Sequence, residues 1–152
     1  MEPICYIVGA GEDYGLDFCP KDGDLILAAD AGYLRLKAAG LRPQIVVGDF
    51  DTLGAPPEGE QMVTLPRIKD VTDTWAAIQL GLERGYRCFA LYGCTGGRFE
   101  HTLANLQIVA DLAARGMECQ LVDRTQVITA VSNGTVNFGP ERRGFVLSLI
   151  HI

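Results

Sequence analysis

The sequence predicts an α/β protein with a three-layer, Rossmann-like parallel sheet of about six strands. Two observations lead to this fold class. Short runs of β-branched and other apolar residues alternate with segments whose composition or apolar spacing is helical. Each helical segment ends at a glycine, whereas several strand-like runs end directly at a glycine or an aspartate. Strands that alternate with helices typically form one sheet with helices on both faces.

Length and composition fit one globular domain. The 152 residues are 48% hydrophobic and 21% charged, and the net charge is −6. This charge argues against a broad basic surface for nucleic acid, although a metal can neutralise the phosphates of a nucleotide locally. Five scattered cysteines without a Cys-x-x-Cys spacing predict neither a zinc site nor a disulfide framework. No apolar run reaches the length of a membrane span, and we expect a cytoplasmic protein.

The first half of the chain predicts four strands and one helix. The strands are Ile4 to Val8, Leu25 to Ala29, the run from Ile45 to Gly48, and Met62 to Leu65. Residues 31–39 have helical composition, and Gly40 and Pro43 end that helix. The first strand leads into Gly9-Ala10-Gly11, but the next glycine is Gly15, so the G-x-G-x-x-G fingerprint of dinucleotide folds is not met. Gly9 and Gly11 can still let the backbone approach a phosphate or a base.

Two carboxylates follow the third strand. Asp49 and Asp51 come directly after Gly48, and positions i and i+2 of an extended chain point to the same side. Because like charges repel, a buried pair must share a proton or hold a cation. Oxygen ligands at a strand end suit Mg²⁺, which is usually completed by substrate phosphates. The alternative interpretation is a solvated acidic turn.

The second half predicts two further helices. Asp70 or Thr72 can cap a helix with an apolar stripe at 75, 78 and 82 that ends at Gly85. Asp73 falls in the first turn of this helix. The attraction between a carboxylate and the positive end of the helix dipole could by itself account for an acidic residue there. A fifth strand over 87–92 precedes a helix over 99–114 that ends at Gly116, and a sixth strand covers 119–122.

The loop before the last helix has the composition of a phosphate cradle. Thr95, Gly96, Gly97 and Arg98 supply small residues, a hydroxyl and a guanidinium just before a helix N-terminus. The Gly-Lys-Ser/Thr ending of a Walker A motif is absent. The alternative is a flexible loop with a surface arginine. His101 lies in the first turn of the helix, where a histidine caps or packs more often than it binds a ligand.

Beyond Asp123 the pattern changes to short β-like runs. They cover Thr125 to Ala130, Thr135 to Phe138 and Phe145 to Ile152, and Asn133-Gly134 is a hairpin signal. We therefore predict an α/β domain over 1–124 and, over 125–152, the beginning of an all-β segment that the chain leaves incomplete.

The position of the polar residues favours a metal-nucleotide site over the simpler alternatives. Right-handed crossovers place every strand-to-helix turn on one edge of the sheet. The acids, the glycine turns and the arginine all fall on this carboxyl edge, and they are Gly9 to Gly11, Asp30, Asp49, Asp51, Lys69 to Asp73 and Thr95 to Arg98. The turns that follow helices are plain connections. Open α/β sheets bind their ligands at the carboxyl edge.

Four segments, in this order, resemble the successive motifs of the thiamine pyrophosphokinase (thiamine diphosphokinase) family. They are Ala29 to Gly32, Gly48 to Leu53, Lys69 to Thr74 and Gly93 to His101. The resemblance covers about residues 4 to 125 as the catalytic domain. It implies transfer of a pyrophosphoryl group from ATP to the hydroxyl of thiamine, which yields thiamine diphosphate and AMP. It also implies Mg²⁺ and a homodimer, with thiamine between one catalytic domain and the partner's C-terminal β-domain.

The resemblance also implies roles for individual residues. The acids form the metal and phosphate site, with the last three also catalytic: Asp30, Asp49, Asp51 and Asp73. The nucleotide and phosphate positions are Gly9, Gly11, Lys69, Asp70, Thr95, Gly96, Gly97, Arg98 and His101. Glu100 stands where the family usually has aspartate, so its contacts are expected to shift.

A second departure from the family concerns the C-terminal segment. Residues 125–152 resemble only the start of the thiamine-binding β-domain, so we expect the chain to hold ATP and Mg²⁺ but to bind thiamine poorly. Two alternatives stay open: a pyrophosphokinase acting on a hydroxymethyl pterin, and a Mg²⁺- and nucleotide-binding module without catalysis.

Overall fold

A computed structural model of the chain describes residues 2–48, 61–64, 72–140 and 144–148. The strands are β1 (Ile4–Val8), β2 (Leu25–Ala29), β3 (Ile45–Gly48), β4 (Gln61–Thr64), β5 (Cys88–Tyr92), β6 (Glu118–Val122) and β7 (Val127–Thr129). The helices are α1 (Gly32–Ala38), α2 (Asp73–Glu83) and α3 (Phe99–Ala114). The described helices include none that is long and apolar enough to cross a membrane.

The strands of the described residues form one sheet in the order β4-β3-β2-β1-β5-β6-β7. The first six strands are parallel, and β7 runs antiparallel to β6. From β1 the chain moves outward to β4 and then returns to place β5 on the other side of β1. The loops after β1 and β5 therefore diverge from adjacent strands, which is the switch point where open α/β sheets bind ligands.

Helices cover both faces of the sheet because the central strands are apolar on both sides. Alternate residues of a strand point to opposite faces. Ile78 of α2 and Leu112 of α3 pack on the face that carries Ile7, whereas Leu36 of α1 packs on the face that carries Val8. The predicted three-layer α/β class is confirmed.

Local signals set the helix ends. The Thr72 side chain accepts a hydrogen bond from the Trp75 amide at 3.1 Å, so Thr72 is the N-cap of α2. Gly40, Gly85 and Gly116 follow the three helices with φ values of +71°, +85° and +73°, the left-handed conformation that ends a helix readily at glycine. The predicted span of α3 is confirmed.

The predicted C-terminal β runs are largely wrong. Only Val127–Thr129 of the first run forms a strand, paired with β6. Residues 135–138 and 145–148 adopt no strand, and residues 149–152 lie outside the described part. Apolar alternation predicts a strand only where a neighbouring strand can accept its hydrogen bonds. The side chains of residues 135–138 and 145–148 instead face solvent; Phe138 is 56% exposed and Phe145 is fully exposed.

Gly81 marks where α2 packs most closely on the sheet. A Cβ atom at this position would lie 2.8 Å from Phe89 Cε1 and 2.9 Å from Cys5 Sγ. We expect Gly81→Val to lower the free energy of unfolding by about 1–3 kcal/mol, because overpacking forces these neighbours apart. Gln79→Val places the same side chain in the same helix at a half-buried position, and urea denaturation should show a smaller loss. Equal losses in the two variants would contradict this packing.

Candidate functional site

A cavity of about 600 Å³ lies at the carboxyl edge of the sheet. Its walls come from the loop after β1, the turn after β2, the start of α2, the loop after β5 and the first two turns of α3. Eight of the residues predicted from the sequence line it: Gly11, Asp30, Asp73, Thr95, Gly96, Gly97, Arg98 and His101. Segments far apart in the chain therefore meet in one space, as the edge argument predicts.

Two predicted metal ligands face this cavity from different elements. Asp30 follows β2 with φ +51°, and its amide donates to the Val47 carbonyl at 2.8 Å. Asp73 is the first residue of α2. Gly48, which ends β3, packs against Asp30, since a Cβ at Gly48 would lie 3.4 Å from the Asp30 Cα. Gly48, the residue that precedes Asp49, therefore lies beside Asp30.

Four of the five other predicted positions lie outside the described residues. They are Asp49, Asp51, Lys69 and Asp70. Within the described ranges no group of three or more His, Cys, Asp or Glu residues is close enough to hold a metal. Asp30 and Asp73, two of the three carboxylates on this cavity, are nevertheless the hard oxygen donors that Mg²⁺ prefers. They fit part of the predicted ligand set, which also requires Asp49 and Asp51.

Backbone hydrogen bonds join the loops after β1 and β5. The amides of Gly9, Gly11 and Glu12 donate to the carbonyls of Tyr92, Gly93 and Thr95 at 2.8, 2.7 and 2.9 Å. No side chain fits at Gly11, where a Cβ would lie 2.6 Å from the Gly93 oxygen. Gly9 does not line the cavity. A Cβ there would lie 2.8 Å from the same oxygen, so this glycine permits the close approach of the loops.

The Gly96-Gly97 turn has the backbone of an anion site. Both glycines have left-handed φ values, +74° and +62°, and α3 begins two residues after Gly97. Successive amides in such a turn and a helix N-terminus both favour negative charge. The Glu12 carboxylate already accepts a long hydrogen bond from the Gly97 amide at 3.5 Å. An acidic side chain therefore lies where the turn presents its amides.

Arg98 directly follows this turn in the chain and carries a positive charge. Its side chain is 71% exposed, lies 3.4 Å from the Glu100 carboxylate and contacts the His101 ring. The ion pair explains what the glutamate at position 100 does here: it turns back to Arg98 along the surface. Such an exposed pair adds little stability, because water screens it. Arg98 is therefore able to exchange Glu100 for another anion at low cost.

The hydroxyl of Thr95 is a buried polar group on the cavity wall. Thr95 is 4% exposed, and its Oγ1 has no hydrogen-bonding partner among the described residues. The Tyr14 oxygen lies close enough to the Thr95 side chain that hydrogen bonding between them slightly lowers the pKa of Tyr14, but the pair does not reach full hydrogen-bond geometry, and the Tyr14 hydroxyl itself donates to the Glu12 carboxylate. That bond is the main cause of the raised pKa of Tyr14. A buried hydroxyl without a partner is costly and suggests that a ligand group pairs with it.

The family model described as "Thiamin pyrophosphokinase, catalytic domain" matches residues 19–121. This chain belongs to that family. Its similarity to the thiamine pyrophosphokinase of Bacillus subtilis (strain 168) is 26% identity over 132 residues, which cover 83% of this chain and 62% of the relative. The match begins after the Gly9 to Gly11 turn and includes the described acids, the Gly96-Gly97 turn and His101.

Solved structures of the family share the fold. A thiamin pyrophosphokinase from Geobacillus thermodenitrificans is 31% identical with a TM-score of 0.70, over 83% of this chain and 62% of that chain. A thiamin pyrophosphokinase family protein from Enterococcus faecalis is 31% identical with a TM-score of 0.67, over 81% of this chain and 62% of that one. The chain thus spans about 62% of the length of these family members.

Eight further residues line the cavity of this family member, and two of them, Glu12 and Asn105, lie outside every turn and motif segment that the sequence singles out. The eight are Ala10, Glu12, Ala29, Thr72, Thr74, Gly93, Cys94 and Asn105. Asn105 left the clearest signal, because it is a polar residue on the buried stripe of α3. Its Nδ2 donates to the Cys94 carbonyl at 2.7 Å and so ties the helix to the loop after β5. Burial raises the pKa of the Cys94 thiol to about 11, so it stays protonated at neutral pH and is no nucleophile.

We expect Asn105→Leu to loosen the Gly93 to Arg98 loop. The substitution keeps the volume but leaves the buried Cys94 carbonyl without its donor, which should cost about 1–3 kcal/mol of unfolding free energy. Gln107→Leu, at an exposed position of the same helix, is the control and should change stability little. Urea denaturation and amide hydrogen exchange of the loop measure both effects. Unchanged exchange in Asn105→Leu would show that this hydrogen bond does not hold the loop.

Proposed function

We propose that this chain is the catalytic part of a thiamine diphosphokinase. It transfers a pyrophosphoryl group from ATP to the hydroxyl of thiamine and releases AMP. The observation that carries the proposal is the single cavity where the acids after β2 and at the start of α2 face the glycine turn after β5. In a member of the thiamine pyrophosphokinase family, this arrangement suits a nucleotide whose phosphates bridge the two sides.

The turn after β5 binds the phosphates. The amides of Gly96 and Gly97 and the start of α3 favour negative charge, and this backbone is already in place before a ligand arrives. The Glu12 carboxylate, which accepts from the Gly97 amide, must give way to the phosphate. The Thr95 hydroxyl donates to a phosphate oxygen and thereby satisfies its buried hydrogen. Arg98 leaves Glu100 and binds phosphate oxygens, where its planar fork can donate two hydrogen bonds. Lys69, Asp70 and His101 are proposed to complete the phosphate side.

The acids supply the metal site. Asp30 and Asp73, together with Asp49 and Asp51, are the side chains that would hold Mg²⁺. When bound there, the ion neutralises charge on the phosphate oxygens. Four carboxylates brought together at this edge would repel one another, and a bound cation would offset that repulsion.

The residues position an in-line displacement. The hydroxyl oxygen of thiamine forms a bond to the β-phosphorus, and the bond from that phosphorus to the oxygen bridging to the α-phosphorus breaks. AMP leaves with the bridging oxygen, and the hydroxyl proton passes to a carboxylate. We assign this proton transfer to Asp73, which reaches the cavity from the first turn of α2. The protein contributes chiefly alignment and charge stabilisation.

Thiamine binding requires more than the α/β part. We propose that residues 1–124 form the catalytic domain and that 125–152 begin the thiamine-binding β-domain of a homodimer. The exposed apolar side chains of this segment support a covered position, with Leu147 87% and Val146 69% exposed. A cytoplasmic location stays a prediction.

A second candidate function is a Mg²⁺- and nucleotide-binding module without turnover. One observation favours it: residues 131–140 and 144–148 form no strand. In that case Mg·ATP should raise the melting temperature, but no AMP should form when thiamine is added. The family match favours thiamine over a hydroxymethyl pterin as the acceptor.

Asp49→Asn and Asp51→Asn test the metal site. Each removes one negative oxygen with almost no change in volume, and we expect AMP formation with ATP, Mg²⁺ and thiamine to fall by roughly a hundredfold or more. Circular dichroism should show an unchanged fold. Asp22→Asn, in an exposed turn far from the cavity, is the matched control. Near-normal AMP release from either variant would contradict the metal role.

Thr95→Val separates ligand binding from stability. The valine removes a buried hydroxyl without a described partner, so the free energy of unfolding should stay constant or rise by about 1 kcal/mol. Loss of a hydrogen bond to a charged phosphate should weaken Mg·ATP binding by about tenfold or more. Thr95→Ser keeps the hydroxyl and should bind normally. Calorimetric titration that gives equal affinity for Thr95→Val and wild type would remove Thr95 from the phosphate site.

A further inference from the structure

Arg35 makes an unusual set of contacts with the loop after β1. Its guanidinium reaches from α1 to four consecutive carbonyl oxygens. Nη1 donates to the carbonyls of Gly9 at 2.9 Å and Glu12 at 3.3 Å. Nη2 donates to the carbonyl of Ala10 at 3.3 Å and contacts that of Gly11. The chain from 9 to 12 therefore bends around one planar cation.

This arrangement depends on the chemistry of arginine. The guanidinium is always charged and presents its donors in a rigid plane, so one group can satisfy several acceptors at fixed angles. Four carbonyl dipoles that converge would repel one another without a cation between them. The loop from 9 to 24 contains neither helix nor strand to hold this bend by itself. A lysine carries the same charge but lacks the planar fork.

The loop passes this constraint on to the phosphate turn. On its other edge, the Gly11 and Glu12 amides donate to the Gly93 and Thr95 carbonyls. Gly93 also contacts the arginine directly, since a Cβ built there would overlap Arg35 Nη1. The guanidinium thus packs against both loops of the switch point. It does not line the 600 Å³ cavity itself and can act on a ligand there only through them.

We propose that Arg35 is a positioning residue for phosphate binding. Arg35 fixes the bend of residues 9–12. The bent segment in turn positions the carbonyls of Gly93 and Thr95 through its hydrogen bonds to them. As a result, the amides of the Gly96-Gly97 turn face the cavity. The inference rests on the proposed function for the identity of the ligand, Mg·ATP. That Arg35 holds the two loops in place is inferred from its contacts alone and does not depend on the proposed function.

Three variants test this role. Arg35→Met keeps the length of the aliphatic stem and removes the guanidinium, Arg35→Lys keeps the charge without the fork, and Lys37→Met removes an exposed charge from the same helix as a control. Two-dimensional NMR gives the hydrogen exchange of the Gly11 and Glu12 amides. In Arg35→Met we expect the exchange rates of these two amides to rise by about tenfold or more. The rates in Arg35→Lys should be intermediate, and those in Lys37→Met should equal the wild-type rates.

Calorimetric titration with Mg·ATP gives the second readout. Arg35→Met should raise the Kd by about tenfold, Arg35→Lys should recover part of the affinity, and Lys37→Met should bind like wild type. Where AMP formation is measurable, the KM for ATP should rise more than kcat falls. If Arg35→Met does not fold, Arg35→Lys decides the question, because it keeps the charge and changes only the planar fork.

The possible failures are distinguishable. A folded Arg35→Met variant with unchanged exchange at Gly11 and Glu12, or with wild-type affinity for Mg·ATP, would overturn the positioning role. Wild-type protein that does not bind Mg·ATP would instead overturn the proposed function. In that case the exchange measurement would still decide whether Arg35 holds the loop.

Discussion

The pairing of β1 with β2 on one side and β5 on the other is the constraint on which the site depends. Val8 stands in register with Ala28 and with Tyr92, so β1 and β5 end at the same level of the sheet and β2 ends one residue further on. The loops that follow β1 and β5 must then run side by side. They can do so only because glycines let their backbones exchange hydrogen bonds at contact distance. The cavity is the space that these loops leave in front of the strand ends.

The electrostatics of this edge follow from the same geometry. An acidic protein that binds an anionic nucleotide must supply positive potential locally. The surface charge of Arg98 is too exposed to do this alone. In the proposed function, the fixed backbone amides of the Gly96-Gly97 turn, the N-terminus of α3 and a cation among the acids would act together on the two sides of the phosphates. In the proposed role, Arg35 contributes indirectly to this positive potential, because it shapes the backbone that presents the Gly96 and Gly97 amides.

Periodicity and turn chemistry in the sequence were enough to predict the sheet, the helix ends and the edge on which the site lies. The Thr72 cap and the span of α3 depend on local rules that operate within a few residues. The contacts of Arg35 with residues 9–12 could not be predicted, because they join segments brought together only by the fold. The runs after Gly134 failed for a different reason: their local pattern is β-like, but within the described residues they pair with no strand of the sheet.

The most direct measurement is a crystal structure of the chain with Mn²⁺ and the α,β-methylene analogue of ATP, whose phosphates cannot be cleaved at the reacting bond. Anomalous scattering locates the ion independently of the protein coordinates. Our account predicts the ion among Asp30, Asp49, Asp51 and Asp73, with phosphate oxygens on the Gly96-Gly97 amides. An ion bound away from these acids, or a nucleotide in another cavity, would contradict it.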